Sequence, residues 1–312
     1  MLFTDTPRRV LINEVAVRDG FQSEPAFIPT EEKISLIDRL SATGLAKIEV
    51  TSFVSPKAIP NLRDAQEVMH RIRRNPAVVY AALVPNERGA QRALECKVDE
   101  INLVMSVGEI HNIANMRMSH EMSLTQFQRV MALVDGSAMR VNGCVATAFG
   151  CPFDGAQPVR KVMDVVAQYL AMGMHSITLA DTTGMASPRQ VGALCQAFFD
   201  SYRDVPLTLH FHNTRGMGLA NVIAALDAGA NSFDASLGGI GGCPFAPGAT
   251  GNICTEDLVH MLHACAIDTG VDLDLLLSIA RDLPAVVGHD VPGQIIRAGK
   301  TTDLHTRPVA SV

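Results

Sequence analysis

The stretch LTLHFHN at residues 207–213 decides how this chain is read. His210 and His212 stand two apart, and alternate side chains of an extended backbone point to the same face, so both imidazoles fall on one side. Leu207 and Leu209 alternate with Thr208 ahead of them, which places the pair at the C-terminal end of a strand. A parallel α/β protein keeps its polar chemistry at that end. Two imidazoles converging there can grip one metal ion. Taken alone, the pair also fits two ordinary histidines beside a strand end.

Outward from this stretch the same unit recurs. Strand-like runs at 10–17, 46–52, 78–83, 98–105, 140–147, 176–180, 206–212 and 232–237 are spaced by helical periods. Those periods run to about 10 to 15 residues, the pattern of parallel βαβ units. Thr30 reads as a helix cap followed by Glu31 and Glu32, and Ser187-Pro188 as another helix start. Eight units in a chain of this length predict a closed (β/α)8 TIM barrel, with right-handed crossovers gathering every strand exit on one rim. The alternative, an open doubly wound sheet, lacks its phosphate loop, since RDGFQSE at 18–24 is no GxGxxG. Around and beyond Glu256 run the helical TEDLVHMLHACAIDTG, a second apolar helical run at 273–280, and GHDVPG. The expected organisation is one catalytic domain over 1–312, with 270–312 as an accessory subregion and short C-terminal helices.

Composition narrows the function classes. Hydrophobic residues make up 47% of the 312 and charged residues 19%, enough to bury a large core. A formal charge of -6 argues against nucleic acid as a partner. The nearest basic cluster, Arg71, Arg73 and Arg74, falls at an expected helix end, where cations suit the exposed carbonyls. No apolar run reaches the ~20 residues of a membrane span, and no cleavable apolar leader is expected at the N-terminus. Seven scattered cysteines suggest reduced thiols and a cytoplasmic setting. Cys96, Cys144, Cys195 and Cys265 read as small core residues, whereas Cys243 lies in a glycine-rich loop. The absence of GK[ST], CxxC and GxSxG removes the commonest nucleotidase, thiol-redox and serine-hydrolase readings.

On a barrel, the rim receives Arg18, Asp19, Glu49, Thr51, Asn102, Thr147, Asp181, His210, His212 and the loop LGGIGGCPFAPGATGN at 237–252. Oxygen and imidazole donors of this kind suit Mg²⁺ or Mn²⁺, while Zn²⁺ with Cys243 stays open. Asp19 is the preferred carboxylate ligand, and Arg18 beside it can stabilise anionic oxygen without titrating. Glu49, set between Ile48 and Val50, needs a partner if buried, and Arg18 is the expected one. Asp181 serves equally as a ligand or as a scaffold for the histidines. Asn252 fits a ligand or a helix cap. The glycines of 238–251 make a mobile loop able to close over substrate, with Cys243 at its tip as acid, base, ligand or bystander.

Five stretches then carry a family resemblance: NEVAVRDGFQSE (13–24), KIEVTSFVSPKAIPN (47–61), LADTTG (179–184), HFHNTRGMGLAN (210–221) and LGGIGGCPFAPGATGNICTEDLV (237–259). Over roughly residues 10–270 the chain resembles the hydroxymethylglutaryl-CoA lyase family, part of the TIM-barrel superfamily that also holds isopropylmalate and homocitrate synthases. The last stretch looks like the lyases' own cysteine-loop signature.

The resemblance implies a divalent-metal-dependent lyase that cleaves 3-hydroxy-3-methylglutaryl-CoA to acetyl-CoA and acetoacetate. It implies Asp19, His210, His212 and Asn252 as ligands of Mg²⁺ or Mn²⁺, with Co²⁺ or Zn²⁺ also compatible. Arg18 is the implied catalytic arginine, Glu49 its acidic partner, Asp181 an aspartate near the site, and Cys243 or His210 the proton donor to the enolate. Expected substrate contacts are Arg18, Gln22, Thr182 and Arg215, and the expected assembly is a homodimer.

Two departures bear on substrate: Asn213 and Arg215 stand where the best-known branch has aspartate and tyrosine, and AVRDGFQSE replaces GPRDGLQNE. Arg215 could meet a substrate carboxylate or a CoA phosphate, or cap the next helix. Citramalyl-CoA or a longer branched 3-hydroxyglutaryl-CoA would use the same machinery. A metal- or acyl-CoA-binding module without catalysis is the reading from another class.

Overall fold

Every strand-like run forms a strand, and the strands close on themselves. A computed structural model describes residues 9–242 and 251–304. In chain order the strands are β1 (Leu11–Glu14), β2 (Lys47–Ser52), β3 (Val79–Leu83), β4 (Glu100–Ser106), β5 (Arg140–Ala146), β6 (Gly150–Cys151), β7 (Gly155–Ala156), β8 (Ser176–Asp181), β9 (Leu207–Phe211) and β10 (Ser232–Ala235). All but β6 and β7 form one closed barrel in the order β1-β10-β9-β8-β5-β4-β3-β2, every pair parallel.

Helices α1 (Thr30–Leu40), α2 (Ala65–Arg71), α3 (Glu87–Glu95), α4 (Glu109–Met116), α5 (His120–Val134), α6 (Val159–Ala171), α7 (Pro188–Ser201) and α8 (Gly218–Asp227) cross between strands. Four more follow β10: α9 (Thr255–Ala264), α10 (Leu273–Ala280), α11 (Leu283–Val287) and α12 (Ile295–Ala298). Leu273, Leu276, Leu277 and Ile279 of α10 join the same buried cluster as the barrel strands. Burying each such side chain contributes roughly 1.5–3 kcal/mol. Among the described residues, no helix is long and apolar enough to cross a membrane.

Register sets which side chains share a layer. Ala180 pairs with His210, His210 with Asp234, Asp234 with Asn13, and Asn13 with Lys47, so one row runs across five adjacent strands. Side chains of such a row that point inward meet inside the barrel. This interior is polar. Asn142 Nδ2 donates to Asn102 Oδ1 at 2.9 Å and to Thr178 Oγ1 at 3.0 Å, and the Thr208 and Ser232 hydroxyls lie 3.0 Å apart.

Several local expectations are corrected. The first strand ends at Glu14, and residues 16–20 coil into a π-helical turn in which Asp19 N–H donates to Val15 O at 2.7 Å. Such wide turns recur at functional sites because they re-aim one or two side chains. Thr30 is the first residue of α1 and not its cap; its hydroxyl donates to Asp64 Oδ2 at 2.9 Å. Ahead of the basic cluster of Arg71, Arg73 and Arg74 the chain forms a 3₁₀ turn, Pro60–Leu62, and then α2. The β6–β7 hairpin was not expected; Gly155 supplies its positive φ of 73°. The basic cluster does lie at a helix end, Arg71 in the last turn of α2 and Arg73 and Arg74 just beyond it, and the three are also paired with acids, Glu31 and Glu67, Asp38, and Asp99 respectively. Cys96 and Cys195 are buried in apolar core as expected, but Cys144 sits in the barrel interior under the charges of Asp234, Glu49 and Arg18. Burial and the two carboxylates push its thiol well above the ordinary range, so it is a neutral thiol there.

Candidate active site

The π-helical turn after β1 delivers Arg18 and Asp19 to the mouth of the barrel. Arg18 Nε donates to Glu49 Oε2 at 2.5 Å, and its Nη1 to Asp19 Oδ1 at 2.7 Å. Glu49 is itself anchored, its Oε1 accepting from Asn102 Nδ2 at 2.7 Å. Burial works against the guanidinium's charge, but the two adjacent carboxylates outweigh it and raise the pKa of Arg18 above its usual value. Arg18 is therefore a fixed cation at any working pH. The pairing of Glu49 with Arg18 is the one the sequence led us to expect.

β9 supplies the imidazoles. His210 and His212 turn their Nε2 atoms toward each other at 3.2 Å, and His212 Nε2 stands 4.0 Å from Asp19 Oδ2. One donor atom from each of Asp19, His210 and His212 lies within 4.8 Å of the others. Two nitrogens bound at about 2.1 Å to one ion and roughly at right angles would stand about 3 Å apart, close to the spacing seen. Asp19 is held ionised: burial opposes it, but Arg18, both histidines and Asn252 bring its carboxyl down to about 2. Burial, and repulsion from His210 whenever that ring is protonated, lower His212 to about 4, so it is a neutral imidazole at neutral pH, the form that binds metal.

The loop base completes the cluster. Beyond β10 the chain turns through Gly238 and Gly239, and residues 251–253 return beside β9: Asn213 N–H donates to Gly251 O at 2.9 Å and Ile253 N–H to Phe211 O at 3.0 Å. Asn252 thereby comes opposite His212. Its Nδ2 donates to Asp19 Oδ2 at 2.7 Å and to Ile240 O at 3.1 Å, while its buried Oδ1 has no partner. A buried acceptor left over beside two imidazoles and a carboxylate is the residue one expects of a fourth oxygen ligand. These donors fit a divalent cation.

Other expected residues fall nearby with different partners. Asp181 Oδ1 accepts from the N–H groups of Met185 at 2.7 Å and Ala186 at 3.0 Å, and its buried Oδ2 has no partner. Burial pushes its carboxyl up to about 6. Thr182 Oγ1 accepts the Thr147 N–H at 2.9 Å. Arg215 Nη1 donates to the carbonyls of Thr183 at 3.0 Å and Gly184 at 2.8 Å, bracing the β8 exit turn. Asn213 Oδ1 accepts the Gly218 N–H at 3.0 Å, so this residue holds the start of α8. Gln22 is half-buried, one residue from Ser23, whose hydroxyl donates to Gly242 O at 3.1 Å at the loop stem. Cys243 lies outside the described residues.

One partner was missed. The carboxylate that meets His210 is Asp234, whose Oδ2 lies 3.2 Å from Nδ1. Its signal in the sequence was a lone acid between Phe233 and Ala235 in an apolar strand.

A parallel eight-stranded barrel carrying an Asp-His-His cluster at its C-terminal mouth defines a TIM-barrel protein equipped to hold a metal ion. More narrowly, the chain belongs to the HMGL-like family, matched over residues 9–283. It is 42% identical to the hydroxymethylglutaryl-CoA lyase YngG of Bacillus subtilis, over 95% of this chain and 99% of that one. It is 39% identical to the (R)-citramalyl-CoA lyase of Chloroflexus aurantiacus, over 93% of this chain and 95% of that one. The structure of an HMG-CoA lyase from Acinetobacter baumannii, in complex with coenzyme A and 3-methylmalate, superposes with a TM-score of 0.92 at 52% identity, covering 96% of this chain and 98% of that one.

Proposed function

We propose that this chain is a divalent-cation-dependent carbon–carbon lyase that cleaves 3-hydroxy-3-methylglutaryl-CoA to acetyl-CoA and acetoacetate. The observation that carries the reading is the convergence of Asp19, His210 and His212 beside the Arg18–Glu49 pair, with the Asn252 Oδ1 left without a partner. The family and its lyase relatives support the same chemistry.

Asp19, His210, His212 and Asn252 would hold Mg²⁺ or Mn²⁺, with Co²⁺ or Zn²⁺ as substitutes. Such a cation, when bound, makes an alcohol more acidic and orients its neighbouring oxygens. A general base accepts the proton of the substrate's tertiary hydroxyl as the bond to the thioester's α-carbon breaks, and that proton balances the one the enolate later takes up at carbon. The electron pair of that bond becomes the enolate of acetyl-CoA, and the hydroxyl carbon becomes the ketone of acetoacetate. Arg18, clamped by Glu49 and Asp19, faces the site as a preorganised cation for the enolate oxygen. The enolate then takes a proton at carbon. With Nδ1 of His210 on Asp234 and Nε2 in the donor cluster, that ring has no nitrogen left to deliver one. We therefore assign the proton to Cys243 and keep His210 as a ligand. Gln22, Thr182 and Arg215 are read as groups at the mouth that meet the acyl-CoA.

A second reading is a lyase for a shorter malyl-type thioester such as citramalyl-CoA. It is favoured by the similarity to the Chloroflexus aurantiacus enzyme and by the 3-methylmalate complex of the Acinetobacter baumannii protein. We read 1–312 as one catalytic unit with 270–312 as accessory, supported by the α10 side chains that share the barrel's core. A homodimer is proposed with it; the exposed Ile110, Ile113 and Met122 offer apolar surface for a second copy. A cytoplasmic setting agrees with the unpaired thiols of the described cysteines.

The test is a product assay over a panel of 3-hydroxyacyl-CoA thioesters, with chelator and with added Mg²⁺ or Mn²⁺. Acetoacetate and acetyl-CoA released only with cation support the first reading, and pyruvate from citramalyl-CoA the second. Binding of cation and thioester without cleavage of any panel member would leave a non-catalytic module.

A further inference from the structure

We infer that Asp234 is the positioning residue of the metal centre: it fixes the ring and tautomer of His210 so that the Nε2 lone pair is presented to the ion. This rests on the proposed metal reading of Asp19, His210, His212 and Asn252. The geometry comes from register. β9, β10 and β1 are adjacent in the barrel, and His210, Asp234 and Asn13 occupy one row across them.

Asp234 Oδ2 lies 3.2 Å from His210 Nδ1, and Asn13 Nδ2 donates to Asp234 Oδ1 at 2.9 Å. Asn13 Nδ2 also reaches Ser232 Oγ at 3.3 Å, and that hydroxyl lies 3.0 Å from Thr208 Oγ1. Both carboxylate oxygens are thus engaged. The carboxylate can rotate only by breaking a bond on one side or the other.

The tautomer follows from elementary chemistry. A carboxylate is an acceptor only, so it takes the Nδ1–H of the imidazole. A neutral ring with its proton on Nδ1 carries its lone pair on Nε2, the atom that turns toward His212 Nε2 and the Asp19 side of the cluster. A carboxylate behind a ligating histidine both orients the ring and makes its free nitrogen more basic. His212 lacks such a partner: its Nδ1 is buried and unbonded. The two imidazoles are therefore unequal, and the Asp234-backed one anchors the site. Asp181, the acid the sequence offered for this task, spends Oδ1 on the backbone of its own turn.

The experiment is Mn²⁺ binding followed by electron paramagnetic resonance of the free ion, on wild-type protein, Asp234→Asn, Asp234→Ala and Ser176→Ala. The Asn variant keeps the shape and removes the charge, and the Ala variant removes the partner altogether. Ser176→Ala perturbs the same polar interior, where its hydroxyl donates to Asn142 Oδ1, without touching His210. Loss of this kind of partner weakens metal binding by about 10- to 100-fold, so Mn²⁺ affinity should fall about tenfold in Asp234→Asn and further in Asp234→Ala. Ser176→Ala should bind as the wild type does. Thermal melting verifies that each variant is folded, and the Asn variant decides the matter if the Ala variant is not. Folded Asp234→Asn that binds Mn²⁺ within twofold of wild type overturns the inference. A wild-type protein that binds no Mn²⁺ overturns it with the metal reading itself.

Discussion

Asn252 lies against Asp19 across 233 residues of chain, its Nδ2 donating to Asp19 Oδ2 at 2.7 Å. That contact fixes the amide's orientation, because its other hydrogen is taken by Ile240 O and the carbonyl oxygen is left free. Asn252→Ala should weaken Mn²⁺ binding about tenfold or more, with little change in secondary structure. Calorimetric titration with Mn²⁺ checks it. Wild-type affinity in the variant would return Asn252 to a purely structural role at the loop base.

Arg18→Gln should lower kcat by about 100-fold or more, the usual scale for removing a donor that meets developing negative charge. The KM for the acyl-CoA should change much less, since the interaction belongs to the transition state. Steady-state kinetics at saturating Mg²⁺ separates the two. Equal losses in binding and turnover would make Arg18 a substrate anchor instead.

Gly241 adopts φ +99°, and a Cβ there would meet Asn252 Nδ2 at 2.7 Å and Asp19 Oδ2 at 3.1 Å. Gly241→Ala should therefore cost about 1–3 kcal/mol in stability and also disturb the metal donors. Gly136→Ala is the matched comparison, since its φ is +72° and nothing lies within 4 Å of the added carbon. Urea titration should show a loss in both variants, and Mn²⁺ affinity should fall only in the first. A Gly241→Ala protein with normal affinity would mean the stem moves freely away from the donors.

Glu14 sets a pH dependence of stability. Its Oε1 accepts the N–H groups of Ala16 at 2.8 Å and Leu237 at 2.9 Å, and its Oε2 accepts from Thr255 Oγ1 at 2.8 Å. Burial outweighs these bonds and raises the carboxyl from 4.5 to about 7. A raised acid favours the folded state fully below its unfolded pKa, and that advantage is lost as pH rises from about 4.5 through about 7. Glu14→Gln, neutral throughout, should reduce the fall in unfolding free energy between pH 5 and pH 8 by about 2 kcal/mol relative to wild type. Urea midpoints at both pH values measure it. An identical fall in both proteins would show that Glu14 ionises without penalty.

The local pattern carried far in places and failed in others for one reason. Asp19, His212 and Asn252 were legible because each stands just past a strand or at the loop base, His210 because it shares a face with His212 two residues on, and Glu49 because an acid between Ile48 and Val50 needs a partner. Asp234 was not, because it lies inside β10 and its meaning depends on which residue of β9 stands beside it. Cys144 looked like a core residue for the same reason: its neighbours in sequence are apolar, while its neighbours in space are Glu49, Asp234 and Arg18. Arg215 and Asn213 were legible only as departures in the pattern; that Arg215 Nη1 braces the β8 exit turn and Asn213 Oδ1 holds the start of α8 depends on where those elements come together.

By itself, then, the sequence determined the number and order of the βα units, the rim on which chemistry gathers, and the types of donor available there. Those follow from periodicity and strand-end polarity, which are local properties of a chain. Only the tertiary structure decided who meets whom. Barrel closure brings β1 against β10, which places Asn13 on Asp234 and Asp19 beside Asn252, and inter-strand register leaves no trace in the residues that flank either partner.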